Sequence, residues 1–204
     1  MKKIGLIVNP VAGMGGSVGL KGTDGEMYRK AVGLGARPVT PARAESFLRQ
    51  DNNRGKLTLL VPPGKMGEEM VKGTGIEYSV VPLSGGKDTS ANDTLKYARK
   101  IGEKVDLLVF VGGDGTARDI YDAVGLDIPV LGVPSGVKMF GAVFAVNARA
   151  AAEIVGAFIE GDTVVSEKEV LDIQLMDQKV APEKSSARNF AFDITPHRLI
   201  SGWV

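Results

Sequence analysis

Three short glycine-rich segments hold the residues whose types and spacing suit chemistry on phosphates. They are Asn9-Pro10-Val11-Ala12-Gly13-Met14-Gly15-Gly16, Gly112-Gly113-Asp114-Gly115-Thr116 and Gly132-Val133-Pro134-Ser135-Gly136-Val137-Lys138. Glycine has no Cβ, so its backbone can approach a ligand closely. Successive N–H groups in such a turn form an anion nest, and a helix that starts next adds the positive end of its dipole. Gly13, Gly15, Gly16, Gly112, Gly113, Gly115 and Gly136 are therefore candidate phosphate-cradling positions. Asn9 can bond a ribose or phosphate, or simply close the turn before Pro10. Thr116 can bond a phosphate or cap the next helix. Ser135 adds a hydroxyl, and Lys138 adds a charge that can neutralise phosphate. Asp114 is the carboxylate of the central segment. An Asp in a turn can serve only local hydrogen bonds, but beside phosphates it can orient or deprotonate an attacking group.

Common nucleotide fingerprints do not fit. There is no G-x-x-x-x-G-K-[ST], and the glycines at 13, 15, 16 and 19 miss the G-x-G-x-x-G spacing. A P-loop enzyme is excluded and a dehydrogenase disfavoured.

The segment Gly112-Gly113-Asp114-Gly115-Thr116, behind an apolar run, resembles the signature shared by NAD kinases, diacylglycerol and sphingosine kinases and, more distantly, phosphofructokinases. The first segment, the continuation Ala117-Arg118-Asp119 and the run Pro134-Ser135-Gly136-Val137-Lys138-Met139 look like one NAD-kinase-like branch. That branch comprises predicted ATP- or polyphosphate-dependent NAD kinases, and acetoin-catabolism accessory proteins belong to the wider set. The resemblance spans residues 1–175. It implies phosphoryl transfer from ATP or polyphosphate to the 2′-hydroxyl of the adenosine ribose of NAD. It further implies Mg²⁺ with the donor and Asp114 as base or orienter of that hydroxyl. In the family a second, β-rich domain supplies much of the NAD pocket. A lipid kinase and a non-catalytic nucleotide-binding regulator remain as alternatives.

Elements must position these residues. Apolar runs at 4–8, 57–61, 78–81, 107–111 and 130–133 lack clear alternation, as strands buried on both faces do. Between them Ala91, Leu95, Ala98 and Ile101 recur at helical spacing after Asp88, Thr89 and Ser90, which supply capping oxygens. Residues 147–160 carry one apolar stripe, Ala151, Ile154, Val155, Phe158 and Ile159. Residues 41–50 and 65–72 are weaker helix candidates. This alternation predicts an α/β domain over residues 1–161, with an open, mostly parallel sheet, flanking helices and right-handed crossovers. Sheet order stays undecided. In such sheets ligands bind beyond the carboxyl ends of the strands, where all three segments fall.

From residue 162 the texture changes. Runs at 163–165, 170–175 and 189–194 read as strands with polar links. Residues 162–204 are read as the incomplete start of an all-β unit. At roughly 40 residues it is too small to be stable alone. Its strand edges are templates for association, so a homo-oligomer is expected.

Composition sets the outer bounds. At 44% hydrophobic and 24% charged residues the chain can bury a core. Its net charge of +1 gives no field to recruit nucleic acid or an anionic membrane, so any anion site must be local. Absence of cysteine excludes disulfides, thiol nucleophiles and Cys-based zinc sites, and it fits a cytoplasmic location. The 27 glycines cluster at the ends of apolar runs and form no repeat. Arg118 and Asp119 read equally well as a solvated helix face, and Asp88, Asn92 and Asp93 as helix caps. Ser84-Gly85-Gly86-Lys87 can reach a ligand. His197 and Trp203 receive no role.

Overall fold

The five apolar runs form the strands of one parallel sheet. The computed structural model describes residues 1–20, 26–50, 53–83, 91–136, 139, 141–170 and 190–196. Strands β1 (Lys2–Val8), β2 (Leu57–Val61), β3 (Tyr78–Val80), β4 (Leu107–Gly112) and β5 (Val130–Pro134) pair in the order β3-β2-β1-β4-β5. Every pairing within this sheet is parallel. The chain steps outward from β1 to β3, then returns to place β4 on the other side of β1. The strand order therefore reverses between β1 and β4, the kind of point at which open α/β sheets bind ligands beyond the carboxyl ends of their strands.

Continuous apolar strands are explained by burial on both sides. All six residues of β4 are buried. Leu107, Val109 and Val111 join one core with Leu6, Val8, Phe47, Leu48, Ala151 and Val155. Leu108 and Phe110 point to the other, with Ile7, Ala98, Ile101, Ala117 and Ile120. The first core is closed by α3 (Thr40–Gln50) and α7 (Ala148–Glu160), the second by α5 (Ala91–Gly102) and α6 (Asp114–Val124). Each fully buried Leu, Ile or Phe contributes about 1.5–3 kcal/mol.

Local signals explain the helix ends. Asn147 caps α7, its Oδ1 accepting from Ala150 N at 2.9 Å. The helix expected over 65–72 is instead two pieces, a 3₁₀ turn at Gly64–Met66 and α4 (Glu68–Val71). Gly67 separates them with an extended backbone that leaves the helical region, so one continuous helix is not formed. Among the described helices, α6 was anticipated only as the helix after Thr116, without bounds, and two were not anticipated at all. The latter two are the single turn α1 (Met14–Ser17) and α2 (Glu26–Gly33). Tyr28 and Val32 of α2 are exposed, so no clean buried stripe marks it.

Beyond α7, β6 (Thr163–Glu169) pairs antiparallel with β7 (Phe190–Pro196) as a separate two-stranded sheet. This ribbon lies against α7 and β5. The strand expected at 163–165 thus runs on to Glu169. Val170 follows it outside any strand, and residues 171–175 lie outside the described set. Among the described residues no helix is long and apolar enough to cross a membrane.

Candidate functional site

Register brings the three glycine-rich segments together. Val8 lies opposite Val111, and Gly112 opposite Pro134. The residues that follow β1, β4 and β5 therefore emerge side by side at one edge of the sheet. Two backbone bonds extend the pairing past the strand ends: Asn9 N donates to Val111 O at 3.0 Å, and Ser135 N to Gly112 O at 3.0 Å.

The central segment is less of a loop than its composition suggests. Gly112 is the last residue of β4, Gly113 is the N-cap, and Asp114, Gly115 and Thr116 form the first turn of α6. Thr116 is therefore inside the helix and does not cap it. N–H groups in a first helical turn lack partners four residues back, and the dipole places about half a positive charge there. An anion at this point meets both. Asp114 is half-buried, and its Oδ1 accepts from Gly141 N at 3.0 Å. The carboxylate is thus tied to Gly141, three residues beyond the third segment.

Side chains lock the segments to one another. Asn9 Nδ2 donates to Thr116 Oγ1 at 3.0 Å, and Asn9 Oδ1 accepts from Val11 N at 3.2 Å. Thr116 is 3% exposed. Asn9 therefore uses both ends of its amide within the protein, as a strut between the first and second segments. Gly13 has φ 78°, and a Cβ there would overlap the Ser135 carbonyl oxygen. Its glycine is required twice, by backbone conformation and by contact with the third segment. Ser135 is 5% exposed, and its hydroxyl oxygen has no hydrogen-bond partner among the described residues.

The glycines of the central segment divide. A Cβ on Gly112 would lie 2.5 Å from Thr116 Cβ and Oγ1, so this glycine lets the first turn of α6 fold back on β4. A Cβ on Gly113 or Gly115 would meet nothing within 4 Å. Nothing among the described residues demands glycine at those two positions. Gly15 and Gly16 lie within α1, where Gly15 O accepts from Val18 N and Leu20 N. Gly136 is half-buried beside Ser135. Lys138, the segment 84–90 with Asp88, His197 and Trp203 lie outside the described residues. Arg118 faces Asp122 at 3.9 Å along α6, as a partly solvated pair does.

Sequence reasoning missed two partners of the site, one through its backbone and one through its side chain. Gly141 carries no signal beyond being a glycine seven residues after β5. Thr40 donates through Oγ1 to Ala12 O at 2.9 Å, fully buried, from the start of α3. Its sequence signal, Thr before Pro41, marks a helix start and says nothing of the first segment. Away from the three segments, burial pushes the Tyr97 phenol above its ordinary value, with Asp93 as the second cause.

The arrangement can hold a phosphate chain at the first turn of α6, with Asp114 beside it and the first and third segments as walls. The ATP-NAD kinase N-terminal domain family matches residues 4–163. No curated protein matches the chain. A crystal structure of a diacylglycerol kinase from Bacillus anthracis str. Sterne is similar at 18% identity and TM-score 0.37, over 81% of this chain and 44% of that one. A second structure, of a candidate diacylglycerol kinase from the same organism, gives 17% and 0.40 over the same shares. A protein of unknown function from Vibrio parahaemolyticus RIMD 2210633 gives 13% and 0.25, over 65% of this chain and 81% of its own. The chain thus spans less than half the length of the two Bacillus structures.

Proposed function

This chain belongs to the ATP-NAD kinase N-terminal domain family, and from that premise we propose that it transfers a phosphoryl group from ATP or polyphosphate to the 2′-hydroxyl of the adenosine ribose of NAD. The observation that carries this reading is the placement of Asp114. It opens α6 at the point where strand order reverses, held by Gly141 N, next to two glycines that the fold itself does not require.

In this mechanism the donor phosphates lie against the first-turn N–H groups of α6, with Gly113 and Gly115 permitting close approach. The strut from Asn9 to Thr116 holds the first segment against that turn. Asp114 orients the ribose 2′-hydroxyl and takes its proton as the new P–O bond forms and the donor's bridging P–O bond breaks. ADP, or a polyphosphate one unit shorter, departs with the bridging oxygen. Among the described residues no three His, Asp or Glu gather where they could hold a metal ion. Mg²⁺ bound through one carboxylate and the donor phosphates needs no such cluster, and Asp114 fits that mode. When bound, the ion offsets charge on the phosphates.

The test is an NADP-forming assay on the full chain with NAD, Mg²⁺ and either ATP or polyphosphate. NADP is read by an NADP-specific dehydrogenase. Donor-dependent NADP supports the proposal. No NADP with either donor, together with phosphorylation of diacylglycerol in vesicles, would assign a lipid acceptor instead. Nucleotide binding without any turnover would make the chain a nucleotide-binding regulator.

A further inference from the structure

We infer that Thr40 is a positioning residue that aims the Gly13 N–H into the phosphate site. The inference rests on the phosphate reading of that site. Thr40 is 0% exposed at the start of α3, so it cannot touch a ligand. Its Oγ1 donates to the Ala12 carbonyl at 2.9 Å, across 28 residues of chain.

The Ala12 carbonyl and the Gly13 N–H belong to one planar trans peptide unit, on which they point in opposite directions. Fixing the carbonyl towards α3 therefore fixes the Gly13 N–H away from α3. That N–H has no acceptor among the described residues. The peptide is gripped on its other sides too. Ala12 N donates to Asn9 O at 3.2 Å, and Gly13 has φ 78° with no room for a Cβ, which would overlap Ser135 O and crowd Val39. Asn9 in turn bonds Thr116 in the first turn of α6. Thr40 is thus the buried end of a chain of contacts, Thr40 to Ala12 to Asn9 to Thr116, that joins α3 to the N-terminus of α6. Without its hydroxyl the carbonyl loses a buried donor, and rotation of the peptide plane is the local relief.

The experiment compares the full chain with Thr40→Val and Thr40→Ser. It uses ATP titration calorimetry, steady-state kinetics and amide hydrogen exchange over residues 9–14. Thr40→Val should speed exchange in that segment and weaken ATP by about 10-fold, the equivalent of one buried hydrogen bond. KM for the donor should rise by a similar factor with kcat changed less. Thr40→Ser should restore both exchange and affinity. Unchanged exchange or unchanged ATP affinity in Thr40→Val overturns the inference, as does a Thr40→Ser chain as impaired as the valine variant. Thr40→Ala takes the place of Thr40→Val if the latter does not fold. Failure of the unsubstituted chain to bind either ATP or polyphosphate would overturn the functional reading, and the exchange measurement would then decide the clamp by itself.

Discussion

Asn9 Nδ2 donates to Thr116 Oγ1 at 3.0 Å, joining the residue after β1 to the first turn of α6 across 107 positions of sequence. The bond spans the point at which strand order reverses. It also leaves the Thr116 hydroxyl its own proton, since a hydroxyl that accepts can still donate.

Thr116→Val keeps the shape of the side chain and removes the acceptor. Asn9 Nδ2 then loses its partner in a part-buried position. Stability should fall by about 1–3 kcal/mol, a drop in melting temperature of about 2–12 °C for a chain of this size. Differential scanning calorimetry reads this directly. A melting temperature equal to that of the unsubstituted chain would strip the strut of any part in stability.

Asp114→Asn keeps an oxygen that can accept from Gly141 N while removing charge and proton acceptor. Folding and nucleotide affinity should persist, and turnover should fall roughly 100-fold or more. Steady-state kinetics beside a circular-dichroism melt separates the two. Wild-type turnover in this variant would take Asp114 out of the chemistry.

Gly112 and Gly113 are neighbours with opposite expectations. At Gly112 a methyl group meets Thr116 at 2.5 Å, so Gly112→Ala should cost about 1–3 kcal/mol through overpacking. At Gly113 the space is open and φ is −116°, so Gly113→Val should change stability by only about 1 kcal/mol or less, mainly through the N-cap position. ATP binding should nevertheless be lost in Gly113→Val, because the branched side chain stands where phosphate must approach. Thermal melts and ATP titration of both variants decide the matter. A Gly113→Val chain that still binds ATP tightly would make that glycine a turn residue only.

Ser135→Ala removes a buried hydroxyl that has no partner among the described residues. Loss of an unpaired buried polar group is neutral or stabilising by up to about 1 kcal/mol. The melting temperature should hold or rise, as chemical denaturation will also report. A clear loss of stability would mean that the hydroxyl is bonded in solution.

Much of this architecture was legible in the residues. Continuous runs of Val, Ile and Leu name their own strands, because a parallel sheet covered on both faces has no polar side to interleave. The stripe from Ala151 to Ile159 marks α7 in the same way, whereas the cap at Asn147 is known from the structure. The segment at 112–116 was legible as a turn behind a buried strand, and it joins β4 to the first turn of α6. α2 gave no comparable signal, since its Tyr28 and Val32 face solvent.

The sequence by itself determined the type of each buried strand, the glycine-rich segments at their carboxyl ends and the carboxylate among them, because hydrophobic period and turn chemistry are local properties. Only the tertiary structure decided that β4 lies beside β1, since right-handed crossovers permit several sheet orders and long-range packing selects one. That choice sets which segments meet. It turned Asn9 into a strut on Thr116, tied Asp114 to Gly141, and placed Thr40 under Ala12. It also split the roles of Gly112 and Gly113, which are indistinguishable as letters and differ only in what a Cβ would meet in space.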